Sequence, residues 1–554
     1  MTSAAERLAA AGTAALVDAS PPLTRTVDVE HDIRLPSAGK VELLTDLYWP
    51  KGLGPLPTIL VRTPYGRRGG LAGFTPVWAR LFAERGYRVV VQSTRGTFGS
   101  GSRMDFLSEA EDGRAAADWI VSQPWSNGEI GTYGPSYLSS VQWALASTRP
   151  PQLKAMAIQI MAADSRRAMY PGGSFALDTA LTWSHLLANQ ELPGLAALRA
   201  IRDQRRQLAP AFRHLPLGRA DEVAVGAAVP FYRDWLRHDE SDEAFWGPLD
   251  FSQAIPGLRV PVSMVGGWYD YYLPYMLEDY RKLVDSGADA QLTIGRWPHT
   301  SVAGATAGLR IALAWFDVHL RGQRQRRRPA PVRIEVMGGG GWRDLDSWPP
   351  PSRTERWYLQ AGGRLTRRPP APSPPDRYRY DPADPTPAVG GTSLSTEAGP
   401  RDNRKLEKRA DVLTFTSDRF AEDVELIGPV SAELYVGSSL EHTDFFARLC
   451  DVHPDGRSVN VSDGLLRVRP SAPPREADGS FCVEVEMWPT AYRFRRRHRL
   501  RLQVSSGAHP RYARNLGTGE PLESATAVKV AEQRVYHDPD HPSALLMPSR
   551  PAGV

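Results

Sequence analysis

Short apolar runs and helically spaced apolar positions take turns along the first third of the chain. The runs Thr58 to Arg62, Tyr87 to Ser93 and Ile130 to Tyr133 predict strands, and the segments around Val77 to Arg85 and Glu109 to Ser122 predict helices. This is the rhythm of an α/β sheet. Between about Met161 and Pro256 the strand signal stops, and Leu, Ala and Arg recur at helical spacing. Strand-like runs then return at Val260 to Val265 and Gln291 to Gly295, which predicts a helical cap inserted into the sheet.

Beyond Arg326 the pattern changes to many short alternating runs, including Val332 to Met337, Val412 to Thr416, Val430 to Val436, Phe445 to Val452 and Phe481 to Met487. Such spacing predicts a β-sandwich or jelly roll. The eight prolines between Pro369 and Pro387 mark a long irregular connection, since strand-like segments flank them on both sides. The expected organisation is an α/β catalytic domain over residues 22–326, with its cap at about 160–256, followed by an all-β domain over 327–554.

Composition narrows the classes. With 554 residues, 42% hydrophobic and 23% charged, the chain reads as a multi-domain globular protein, and no apolar run approaches the ~20 residues that span a bilayer. The opening MTSAAERLAAAGTAALVDAS makes a poor signal peptide, because Glu6 offsets Arg7 and alanine dilutes the apolar stretch. A cytoplasmic location is the default expectation. The formal charge of +5 is carried mostly by arginine. The clusters Arg321 to Arg328 and Arg493 to Arg501 read as a solvated linker and a strand with a wet face, so no nucleic-acid partner is expected. Cys450 and Cys482 are too few for a disulfide framework, and whether they pair is left open.

The chemistry concentrates in Gly131 to Ala146, GTYGPSYLSSVQWALA, where a strand-like run ends in a small-residue turn and a helix begins directly after Ser136. This is the nucleophile-elbow arrangement, in which a sharp turn lifts the serine hydroxyl above the sheet. Gly134 leaves room where strand and helix converge. Leu138 stands where G-x-S-x-G has its second glycine, so the segment alone leaves an ordinary turn or N-cap serine open. A serine nucleophile needs a base, and the base needs a carboxylate to fix its tautomer. Two later strands end in GGWYD, reaching Asp270, and in GRWPHT, carrying His299. Ser, Asp, His is the chain order of α/β-hydrolases. The backbone N–H of Tyr137 can serve as one oxyanion donor. In the early loop VRTPYGRRGG, the phenol of Tyr65 is the candidate for the second, although a tyrosine packed at a strand end fits the same residues.

Taken together, these blocks resemble the cocaine esterase and X-prolyl dipeptidyl-peptidase-like hydrolases, the CocE/NonD family. The resemblance runs through RTPYG, STRGTFGSGS, EAEDG, QPWSNGEIGTYGPSY, GGWYD and GRWPHT, and in the last third through TDFFARLCDVHPDGRSVNVSDGLLR and YHDPDHPS. It implies an α/β-hydrolase domain with a helical cap and a C-terminal jelly roll, acting on esters or amides through an acyl-enzyme. By motif position it makes Ser136 the nucleophile, His299 the base, Asp270 its partner, and Tyr65 with the Tyr137 amide the oxyanion hole. No metal or organic cofactor is expected. His537 and His541 lie in a turn block whose prolines, Pro539 and Pro542, oppose a zinc-binding helix.

Relatives acting on α-amino acid esters hold the substrate ammonium with acids just after the triad aspartate. Here Tyr271, Tyr272, Leu273 and Pro274 follow Asp270. An amine-bearing substrate is disfavoured unless a cap acid such as Asp164 or Asp178 substitutes. The expected substrate is a small ester, or an activated amide, with a neutral or aromatic acyl group. Tyr170, Phe175, Trp183, Trp268 and Tyr272 are the candidate lining of its pocket. An X-Pro dipeptidyl aminopeptidase and an acyltransferase or tailoring enzyme of specialised metabolism share the same triad and remain alternatives, and the resemblance leaves room for a homo-oligomer.

Overall fold

The computed structural model describes residues 4–68, 73–323, 328, 330–470 and 474–549. Ten strands form the first sheet: β1 (Val27–Ser37), β2 (Val41–Pro50), β3 (Leu56–Thr63), β4 (Arg88–Ser93), β5 (Ser126–Pro135), β6 (Leu153–Gln159), β7 (Val262–Tyr269), β8 (Ala290–Pro298), β9 (Val332–Val336) and β10 (Gly341–Leu345). Their order is β1-β2-β4-β3-β5-β6-β7-β8-β9-β10. From β4 through β9 every neighbour is parallel, while β1, β2 and β10 pair antiparallel at the edges. Helices cover both faces of the parallel part, so its strands are buried on both sides, with polar residues such as Arg62 and Gln92 buried along with the apolar ones. β3, β4 and β7 are buried almost end to end.

The cap lies between β6 and β7, as the loss of alternation predicts. Its main helices are Leu177–Asn189, Gly194–Arg213 and Pro230–Arg237. They enclose their own apolar cluster of Phe175, Leu177, Leu181, Tyr232, Trp235 and Trp246. The remaining strands, from Arg353–Gln360 to Ala544–Ser549, form a separate β-rich domain. In its long strand Val424–Ser438, buried and half-buried residues alternate.

Two features depart from the sequence reading. The run Val332 to Met337, grouped there with the β-domain, supplies β9, which pairs in parallel with β8 and extends the catalytic sheet. A five-residue alternating strand carries no mark of which sheet it joins. The residues 324–327, where the domain boundary and part of the first arginine cluster fall, lie outside the described residues. The second arginine cluster spans the end of one strand, a turn and the start of the next. Leu500 and Leu502 point into the core from Arg499–Ser505, while Arg499 and Arg501 stay half-buried. Cys450 and Cys482 are both free thiols. No helix among the described residues is long and apolar enough to cross a membrane.

The β-domain abuts the catalytic sheet where the candidate site lies. Within the catalytic sheet, Trp268 at the end of β7 donates its indole N–H to the Glu335 carbonyl of β9. Trp488 of the β-domain donates its own to the carbonyl of Asp270 at 3.0 Å.

Candidate active site

β5 runs into the helix Tyr137–Ser147 with a single residue between them, Ser136. Its φ of 57° and ψ of −129° are a conformation that a non-glycine residue adopts only when its surroundings impose it. Here they do. The Ser136 N–H donates to the Gln159 carbonyl of β6, and its own carbonyl accepts from the Ser139 and Ser140 N–H groups of the new helix. Gly134 makes the sharp turn feasible: a Cβ there would sit 2.4 Å from the Cβ of Leu138, and its φ of +141° suits only glycine. Leu138, the residue that breaks the G-x-S-x-G pattern, thus packs directly over Gly134.

The three separated residues meet. The Ser136 hydroxyl lies 2.9 Å from Nε2 of His299, and Nδ1 of His299 lies 2.6 Å from Oδ2 of Asp270. With Nδ1 facing a carboxylate, the neutral ring carries its proton there, and Nε2 is left to accept from the serine. Asp270 is fully buried, and its other oxygen accepts the Tyr272 N–H at 2.8 Å. The loop that carries it is therefore fixed on one side by its own backbone and on the other by Trp488. Tyr271 lies against the imidazole of His299, ring centres 4.6 Å apart.

Tyr65 lines the same cavity as Ser136. The cap helix residue Trp183 donates its indole N–H to the phenol oxygen at 3.1 Å. That bond uses a lone pair and leaves the phenol's proton available for donation. Burial pushes the Tyr65 pKa up to about 12, so the group stays a donor across the physiological range. Beneath the elbow, the Tyr137 hydroxyl donates to Glu109 at 2.7 Å, and Glu109 pairs with Arg62 at 2.8 Å. Burial raises the Glu109 pKa, against the pull of the Arg62 guanidinium.

The cavity above Ser136 has a volume of about 320 Å³ and is walled mostly by aromatic and aliphatic side chains. Of the five sequence-predicted lining residues, the structure brings Trp183 and Tyr272 to it. The other three lie elsewhere. Phe175 is wholly buried in the cap core, Tyr170 turns its hydroxyl to the Trp235 carbonyl, and Trp268 packs beside Trp348 toward the β-domain. The aromatic residues that do line the cavity include Phe106, Trp235 and Tyr271, and Leu394 reaches it from the second domain. Phe106 sits in the STRGTFGSGS-to-EAEDG connection, where its apolar character was the sole available signal; nothing in the sequence marked Leu394.

Among the described residues lining the cavity, Glu109 is the single carboxylate. The cap acids do not substitute. Asp178 is engaged by Ser393 and Thr182, and Asp164 lies 3.6 Å from Arg166; neither lines the cavity.

Comparison with known proteins agrees with this architecture. Residues 39–301 match the X-Pro dipeptidyl-peptidase (S15 family) model, and residues 326–546 match that of the X-Pro dipeptidyl-peptidase C-terminal non-catalytic domain. Cocaine esterase from Rhodococcus sp. is 34% identical, over 94% of this chain and 98% of that protein. Among solved structures, an aminopeptidase from a marine sediment Thaumarchaeota archaeon superposes with a TM-score of 0.76 at 23% identity, covering 94% of this chain and 96% of that one. An α-amino acid ester hydrolase gives 0.73 at 22% identity, covering 96% and 98%. With an elbow serine facing a histidine–aspartate pair on this sheet, under a helical cap and beside a β-rich domain, the chain belongs to the CocE/NonD family of α/β-hydrolase serine esterases.

Proposed function

We propose that the protein hydrolyses carboxylic esters with an uncharged, preferably aromatic, acyl group through an acyl-Ser136 intermediate. His299 Nε2 takes the Ser136 proton as the hydroxyl oxygen attacks the ester carbonyl, and Asp270 stabilises the imidazolium that forms. The carbonyl oxygen becomes an oxyanion received by the Tyr137 N–H and the Tyr65 hydroxyl. As the tetrahedral intermediate collapses, the imidazolium protonates the departing alcohol. Water, deprotonated by the same ring, then releases the acid and restores the serine.

The observation that carries the substrate assignment is the charge inventory of the cavity wall. The one carboxylate among its described residues, Glu109, is already engaged by Arg62 and by the Tyr137 hydroxyl. A substrate ammonium would be desolvated against aromatic rings without a counter-ion of its own, which costs several kcal/mol in a site of this kind. This argues against α-amino esters and against the free N-terminus of an X-Pro peptide. A neutral ring, by contrast, can lie among Phe106, Trp183, Trp235 and Tyr272.

A panel of p-nitrophenyl esters and X-Pro p-nitroanilides tests the assignment. The expected order is benzoyl and short acyl esters first, α-aminoacyl esters far behind, and X-Pro anilides at background. Turnover of α-aminoacyl esters or X-Pro anilides equal to that of the benzoyl ester would overturn it.

A further inference from the structure

Outside the catalytic cavity, one cluster of side chains has ligand chemistry that ester hydrolysis does not use. In the β-domain, the strand Thr443–Val452 pairs antiparallel with Arg499–Ser505, with Asp451 opposite Leu500 and Val452 opposite Arg499. Continuing that register by one position sets His453 opposite His498. Residues two apart on a strand share a face, so Asp451 and His453 project to the same side, and a residue directly across the ladder joins them there. The side chains behave accordingly. The two imidazole rings lie with centres 4.5 Å apart. Nδ1 of His498 stands 2.8 and 3.0 Å from the two Asp451 oxygens, and Nε2 of His453 stands 3.6 Å from Oδ2.

We infer that Asp451, His453 and His498 form a binding site for a divalent transition-metal ion of the zinc class. The three ligand atoms lie within 4.8 Å of one another. A tetrahedral ion with bonds of about 2.0–2.1 Å needs ligand atoms about 3.3 Å apart, and with Oδ2 as the ligating oxygen its distances of 3.0 Å to His498 Nδ1 and 3.6 Å to His453 Nε2 fall around that value. Two imidazoles and one carboxylate suit zinc, copper or nickel far better than calcium or magnesium, which require many oxygens. The carboxylate is prepared for the task. Asp451 is almost fully buried, and the Tyr492 hydroxyl donates to its Oδ2 at 2.9 Å, the outer hydrogen bond that orients a ligating acid. The histidines are partly exposed, which leaves an entry path and room for a solvent ligand in the fourth position. Arg457, which approaches Nδ1 of His453 at 3.5 Å, is half-exposed and paired with Asp455, so it is free to swing aside. The ion would tie the end of one strand to the turn that begins the next. Its role is structural and independent of the esterase reading.

Zinc titration of the chelator-stripped full-length enzyme, followed by calorimetry and by thermal midpoint, tests the inference. Wild type is expected to bind one equivalent with a saturating rise in midpoint. His453→Ala removes a rim ligand, and Tyr492→Phe keeps all three ligands but loses the orienting bond. The first should abolish the saturable event, and the second should weaken it roughly 10-fold or more. His214→Ala, a histidine elsewhere on the molecule, should leave it unchanged. Cobalt should give the visible bands of a low-symmetry four-coordinate site in wild type, a readout that needs no variant. The inference is overturned if wild type shows no saturable binding, or if His453→Ala binds zinc as wild type does.

Discussion

Replacing Tyr65 by phenylalanine removes one oxygen atom from the cavity wall and little else. The Tyr65 phenol lines the cavity beside Ser136 and accepts from Trp183, and its pKa, pushed up to about 12, keeps the proton in place. If it is the second oxyanion donor, the variant loses a contact that strengthens only as charge develops on the substrate oxygen. Loss of one such donor is worth about 2.7–4 kcal/mol of the barrier, or roughly 100- to 1,000-fold in kcat. KM should hardly move, because the ground-state carbonyl gains little from the bond. The ring stays and Trp183 loses its acceptor, so stability should drop by about 1 kcal/mol. Trp183→Phe probes the same oxygen from the other side. Without the indole N–H the phenol is no longer held in one rotation, and the expected loss in kcat is about 3- to 10-fold, the worth of one neutral hydrogen bond. In a Tyr65→Phe background the same change should cost almost nothing more in kcat, since there is no phenol left to orient. The assay is steady-state hydrolysis of p-nitrophenyl benzoate by the four proteins, with thermal midpoints measured alongside. A near-native kcat for Tyr65→Phe would refute the donor assignment. Independent, additive losses in the double variant would instead retain Tyr65 and refute the positioning role of Trp183.

Gly134→Ala should destabilise the protein by roughly 2–5 kcal/mol, from backbone strain at a φ of +141° together with overlap against Leu138, and should lower expression and activity together; a thermal midpoint within a degree of wild type would count against the elbow's packing. Asp279 accepts the Ala163 N–H in a buried setting, and burial pushes its carboxyl up to about 7. Because that lies above the unfolded value of about 3.9, its contribution to stability is fully present below about pH 4 and is lost as pH rises through about 7. Asp279→Asn should therefore flatten the pH dependence of the urea midpoint between pH 4 and 8 and exceed wild-type stability at pH 8 by up to ~4 kcal/mol; parallel curves for the two proteins would contradict this. Trp488→Phe, which frees the Asp270 carbonyl from its partner in the second domain, should reduce kcat about 3- to 10-fold with KM unchanged, and an unaltered kcat would show that the loop does not need that support.

The sequence was most informative where one local rule decided the outcome. The strand leading into the elbow and the cap follow from periodicity, and turn chemistry and two strand ends singled out Ser136, Asp270 and His299, whose joint role the resemblance implied. It was least informative where a residue's role depends on which of two packed surfaces it meets. Phe175, Tyr170 and Trp268 are aromatic residues near the cap or the triad in sequence, but the cap core claims the first two, and Trp268 bonds to β9 and packs beside Trp348. Leu394 and Trp488 act across a domain boundary, at sequence distances where periodicity carries nothing. β6, buried on both faces, gave a short apolar run without alternation, and the assignment of β9 to the first sheet required a partner strand no local pattern names.

Labelling with a fluorophosphonate, which traps an activated serine as a stable covalent adduct, followed by mass-spectrometric mapping of the modified peptide, shows whether Ser136 is the nucleophile. One adduct per chain is expected, located on Ser136, with esterase activity lost in proportion to labelling. An adduct confined to another serine, or full activity in a chain labelled completely at Ser136, would contradict it.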